Sequence, residues 1–291
     1  MNDEHKLNSN RTIYKPKDFF TMARSKNILQ VEGTIGLLSF YRLHGHDEMI
    51  VRTKGGPKKE DIKEKPQFEA VRRNNEEWKA CTNMTSHLRL GFCRLRHLED
   101  YPVTGALNAI CKQIQKADTK KEHGSREVKL SEHREMLMGF SLSRKQVFES
   151  VVRVPVSATI DRNVCMATID IPELNTELYL YNFRKLPAYR IMAMLSCISD
   201  GAAFSSIGPK QTELREEYLQ NHSGFYETQW LPAFGTQPAI HIELSLPESI
   251  KPLASDQSLI LTIGIEFGKP GPGNSYDPVK YAGTGKIVKS G

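Results

Sequence analysis

His44, His46, Asp47 and Glu48 form the densest cluster of potential ligands in the chain. Imidazole and carboxylate are donors that zinc takes, but His-x-His in a hairpin tip needs a third ligand from elsewhere. Gly45 and Asp47 already account for a turn, so a plain hairpin tip ranks first. Lys54 to Lys59, KGGPKK, leads into a helical region and could hold a phosphate on its amides and ammonium groups. It lacks the G-x-x-x-x-G-K-[ST] spacing of a phosphate loop and reads as a turn. GKPGPG near the C-terminus has prolines where donor amides would be needed, and reads as a stiff loop. Arg89, Arg94 and Arg96, beside His97 in LRLGFCRLRHL, make the best basic stripe; with Arg72, Arg73 and Lys79 upstream they could track a phosphate backbone. The interleaved Leu and Phe fit a helix whose apolar face packs on its own domain. There is no G-x-S-x-G, no H-E-x-x-H and no Cys/His pair in a suggestive context. No catalytic residue, cofactor or metal is therefore assigned, although an active site need not be local in sequence.

Aromatic side chains in an apparent loop are the other candidates. Phe225, Tyr226, Trp230, Leu231 and Phe234 in GFYETQWLPAFG could form a protein interface or could cap a core.

The elements that would position these residues follow from composition and periodicity. A chain of 291 residues with 39% hydrophobic and 25% charged residues can bury one large or two ordinary cores. No apolar run approaches the roughly 20 residues of a membrane helix, and the first residues lack the apolar stretch of a secretory signal, so a cytoplasmic protein is expected. The five cysteines share no C-x-x-C spacing and read as reduced, buried thiols. Residues 1 to 150 hold 28 Lys and Arg against 20 Asp and Glu, a net +8, and the remainder is net −2. Such a bias can mark nucleic-acid contact, but acids interleaved with the bases are more often a solvated surface.

Residues 1 to 24 read as a flexible arm. Ile28 to Lys54 reads as a hairpin, with Gly33 and Gly36 marking a bulge or a close backbone approach in its first strand. Apolar residues at three- and four-residue steps from Phe68 to Leu98, after Pro66 at a helix start, predict one long or kinked helix, and Thr104 to Lys116 a second. The charged loop Asp118 to Arg126 is the candidate boundary between a hairpin-plus-helix region, 25–126, and a β-rich region, 127–291. Strands are expected at Val128 to Leu130, Met136 to Ser141, Val151 to Ile160, Val164 to Ile171, Leu178 to Asn182, Tyr189 to Ile198, Ala239 to Leu246 and Ser258 to Phe267. The last alternates most cleanly and reads as half-buried, with Leu259, Leu261, Ile263, Ile265 and Phe267 inward. A Gly/Pro-rich tail follows, with a possible edge strand at its end. The fold class is α+β: a β-hairpin and helical pair, then an antiparallel β-sandwich.

GTIGLLSFY, the segment VRTKGGPKKEDIKEKPQFEAVRRNNEEW, Y-R-I before a long apolar strand, and the ending IGIEFGKPGPG…PVKYAGTGKIVK occur in that order. The combination resembles a family of uncharacterised bacterial proteins and covers most of the chain after Met22. That family carries no assigned activity, so the resemblance implies an integral folding unit and no site residue. The expected function is a non-enzymatic structural or interaction protein, a homo-oligomer or protein binder that assembles through edge strands and terminal arms. Nucleic-acid binding by the basic half and an enzyme with a non-local site are the alternatives.

Overall fold

The computed structural model describes residues 23–25, 32–43, 49–53, 55–201 and 211–291. The chain divides into two compact units, Met1–Phe68 and Glu69–Gly291. Of the arm expected at 1–24, residues 1–22 lie outside the described residues and Ala23 and Arg24 belong to a strand, Ala23–Ser25; the histidine cluster at 44–48 and Lys54 of the lysine-rich turn also lie outside.

In the first unit, β1 (Ala23–Ser25), β2 (Gly33–Ile35), β3 (Leu38–Arg42) and β4 (Met49–Thr53) form an antiparallel sheet in the order β1-β4-β3-β2, followed by the short helix α1 (Lys59–Glu64). Gly33 lies in β2, paired with Phe40, and Gly36 makes a turn. Ile35 pairs with Leu38 across a two-residue loop whose first residue, Gly36, has φ 58°. That backbone suits glycine and matches the twist of a tight hairpin, so the predicted long strand folds back on itself.

The second unit begins with α2 (Glu69–Gly91), a 3₁₀ turn at Cys93–Leu98 and α3 (Val103–Ala117). It continues through α4 (Phe148–Val151), β5 (Ser157–Asp161), β6 (Met166–Ile171), β7 (Leu174–Asn175), α5 (Thr176–Tyr179) and β8 (Ala188–Ser199). The remaining elements are α6 (Gln211–His222), β9 (Ser223–Glu227), β10 (Leu231–Pro232), β11 (Thr236–Gln237), β12 (Ile240–Ser245), β13 (Gln257–Pro270) and β14 (Tyr276–Ser290). β13 is the centre, antiparallel to β8 on one side and β14 on the other, while β9 and β10 both pair with the outer edge of β8. Leu259, Leu261, Ile263, Ile265 and Phe267 pack against a second antiparallel sheet, β12-β6-β5, through Ile169, Ile171, Ile242 and Leu244.

The opposite face of β13 was expected to meet solvent; it is buried too. Ile260, with Met192, Met194 and Ile198 of β8 and Ile287 of β14, lies against the α2 and α3 residues Met84, Leu88, Leu107 and Ile114. The helices thus form a third layer on the sheet. Close approach is possible because a side chain at Gly264 would overlap Leu95 and Leu98 of the 3₁₀ turn, with Cβ contacts of 2.7 and 2.5 Å.

Three further expectations are corrected. Leu130–Glu132 and Arg134–Leu137 are 3₁₀ turns rather than strands, although the amides of Gly139 and Leu142 bond Ile287 and Gly285 and so cover part of the β14 edge. Leu178 to Asn182 is the end of α5 plus a single bridge, Val152 to Leu180. The C-terminal tail is no loose arm: β14 pairs with β13 from Tyr276 to Ser290, and Ile287 is fully buried. The loop 118–126 lies within the second unit and is tied down by the buried Glu77, which accepts hydrogen bonds from Arg126, Lys112 and the Gly124 amide.

Candidate functional site

Burial of Cys81, Met84, Leu88, Phe92, Leu95 and Leu98 turns the arginines of the basic stripe outward. Most are then engaged within the chain. Arg73 bonds Glu69 at 2.6 Å on α2, where Arg72 also lies. Arg89 and Arg96 both lie against Glu99, at 4.0 and 3.6 Å. Burial pushes the Glu99 carboxyl up, opposed by the two arginines, and burial likewise lowers Arg89, helped by repulsion from Arg96. Arg94 lies 5.8 Å over the Phe225 ring, so the structure joins one residue of the predicted stripe to one of the predicted aromatic group.

The aromatic group divides. Trp230 lies on Gly268, where a Cβ would meet the ring at 2.7 Å, and is flanked by Arg190 at 4.9 Å and Tyr276 at 5.9 Å. Leu231 packs against the sandwich core. Phe225 and Tyr226, on the edge strand β9, and Phe234 are exposed. Beneath Trp230, the buried Glu266 is bonded by Arg190, and by His97 at 2.7 Å. Burial alone would raise the Glu266 carboxyl, but these two bonds hold it below the usual range. Nothing local in the sequence marks this cluster, because Glu266 occupies a position that alternation assigns to solvent.

Where β8 ends and β13 begins, a cavity of about 690 Å³ opens beside α2, lined by His87, Lys129, Ser131, Glu132, Asp200 and Asp256 among others. Ser131 donates to Asp200 through both its amide and its hydroxyl, the latter at 2.5 Å. Burial raises the Asp200 carboxyl against those bonds, and burial lowers the His87 imidazole, which favours its neutral form. The cavity presents an acidic, partly apolar lining in which the Ser131 hydroxyl is hydrogen-bonded to the Asp200 carboxylate. Its residues come from four separated segments with no shared motif. All five cysteines are free and buried, and burial pushes Cys111 and Cys197 to about 12, which leaves them poor nucleophiles. Among the described residues no three His, Cys, Asp or Glu are placed to hold a metal ion, and no helix is long and apolar enough to cross a membrane.

The N-terminal sheet carries the most exposed aliphatic surface. Alternation puts Ile35, Leu38, Phe40, Met49 and Val51 on one face, yet Ile35 is 58% and Leu38 41% exposed, and Leu37 at the turn is 76% exposed. Among its described residues only Met49 and Ile50 are buried hydrophobics. Comparison of the chain with family models, curated proteins and solved structures gives no match.

Proposed function

We propose that the protein is a non-enzymatic interaction module that self-associates through its N-terminal sheet. The exposed apolar face at Ile35, Leu37 and Leu38 carries this reading: a small sheet is stable only when one face is covered. Among the described residues β2 is an edge strand, and its outer backbone groups would take a further strand. An identical β2 from a second copy, paired antiparallel, would extend the sheet across a two-fold axis and close after two subunits. The C-terminal strand pairs with β13 on one side and is partly covered by Gly139 and Leu142 on the other.

Light scattering of the full chain across a range of concentrations tests the reading. The wild type is expected to shift from monomer to dimer mass as concentration rises, and an Ile35→Lys/Leu37→Lys variant to remain monomeric while still unfolding cooperatively. A wild type that stays monomeric throughout overturns it.

A further inference from the structure

The turn after α5 and the neighbouring stretch of β14 present aromatic rings and cations of a different kind from the basic stripe. Tyr181 and Phe183 stand two residues apart at the entry to the turn closed by Asn182 and Leu186. Their rings stack at 6.4 Å between centroids and 25° between planes. Tyr181 is 44%, Phe183 39% and Tyr281 52% exposed. Each ring has a cation over it: Arg153 at 5.2 Å from Tyr181, Arg184 at 5.2 Å from Phe183, and Lys280 at 4.8 Å from Tyr281. The pieces form one patch, because Arg184 donates to the Lys280 carbonyl at 3.1 Å and the Arg153 amide to the Tyr179 carbonyl at 2.8 Å.

The patch is built rather than loose. Asn182 donates through its side chain to the Leu186 carbonyl at 2.7 Å and accepts from the Leu186 amide at 3.0 Å, closing the turn that carries Phe183 and Arg184. The cations differ from those of the basic stripe in their partners. Arg73, Arg89 and Arg96 face carboxylates, whereas among the described residues no carboxylate forms an ion pair with Arg153, Arg184 or Lys280. No carboxylate among the described residues neutralises these cations, and because each now covers a ring face, a base would stack by taking the cation's place as the cation turns to a phosphate.

We infer that this patch binds single-stranded nucleic acid, with bases stacking on Tyr181, Phe183 and Tyr281 and phosphates meeting Arg153, Arg184 and Lys280. A flexible polyanion that also carries planar rings satisfies both features at once. An acidic peptide would use the cations and leave the rings bare. A duplex hides its base faces and is met by an element shaped for a groove, which the patch lacks. The patch residues all belong to the second unit, so the inference uses none of the residues on which self-association rests.

Fluorescence anisotropy with an oligothymidylate about 20 nucleotides long tests it on the full chain, beside a duplex of equal length and a polyglutamate of similar charge. The single strand is expected to bind at least about tenfold more tightly than either control. With three phosphate contacts, log affinity should fall against log salt with a slope near −2, and Arg153→Gln or Arg184→Gln should each flatten it by roughly 0.7. Tyr181→Ala with Phe183→Ala should weaken binding about tenfold or more, while Tyr181→Trp, which keeps a stacking face, should retain it. Melting midpoints and scattering profiles should match the wild type in every variant. Equal binding to duplex or polyglutamate, indifference to ring removal, or no binding at low salt overturns the inference.

Discussion

Glu77 shows what one buried charge does in this protein. Its carboxylate on α2 is held by Arg126 through two bonds, Lys112 at 2.6 Å and the Gly124 amide at 2.9 Å, so α3 and the 118–126 loop converge on one residue. The Arg126 bonds, opposed by burial and reinforced by Gly124 and Lys112, lower its carboxyl from the usual 4.5 to about 2. A carboxyl lowered on folding stabilises fully above its unfolded value and loses that contribution as pH falls. Acid titration of the wild type should therefore show stability lost between about 4.5 and 2 that a Glu77→Gln variant lacks. At neutral pH that variant should unfold with a cost on the order of 2 kcal/mol, because several charge-assisted bonds weaken together. Urea midpoints at several pH values measure both, and superimposable pH profiles for the two proteins would refute the assignment.

At the scale of elements, the β13–β14 hairpin decides whether the helical layer can sit on the sheet. Gly264 and Gly283 lie where Leu98 comes down, and an added Cβ would meet Leu98 at 2.5 and 2.7 Å respectively. Gly264→Ala should destabilise by about 1–3 kcal/mol through overpacking, read as a lower urea midpoint with an unchanged slope. β14 also covers core on both faces through Ala282 and Ile287. Deleting residues 269–291 should abolish cooperative thermal unfolding, whereas a dispensable tail would leave the transition intact.

Across the whole molecule, burial is uneven. β8 and β13 are buried along nearly their full length, whereas the N-terminal sheet is mostly exposed. Hydrogen exchange should be slowest for β8 and β13 amides and fast for residues 33–38 in dilute solution. If the N-terminal sheet is the self-association surface, raising the concentration should slow exchange at 33–38 and leave β13 unchanged. Protection that does not depend on concentration would place any assembly elsewhere.

Alternation in Ser258 to Phe267 and the apolar run at Tyr189 to Ile198 were enough to locate the two central strands, and three- and four-residue apolar spacing located α2 and α3. Local periodicity reports which residues share a face, and those assignments hold. It cannot report what covers a face. Thr262, Gly264 and Glu266 looked solvent-facing, and tertiary packing buried them because small residues let the Leu95–Leu98 turn approach and because His97 and Arg190 meet the one charge. The basic stripe was visible as composition, but Glu99 and Glu69 decide how much of its charge is free. Tyr181 falls in the short strand expected at Leu178 to Asn182, and Phe183 falls just outside it. The availability of the patch depends on Arg153 and Lys280, which are far away in sequence and reach it only because β14 closes beside the turn. Side-chain spacing along one segment is a local property set by backbone geometry, whereas exposure and charge pairing depend on contacts between distant segments, which only the folded chain brings together.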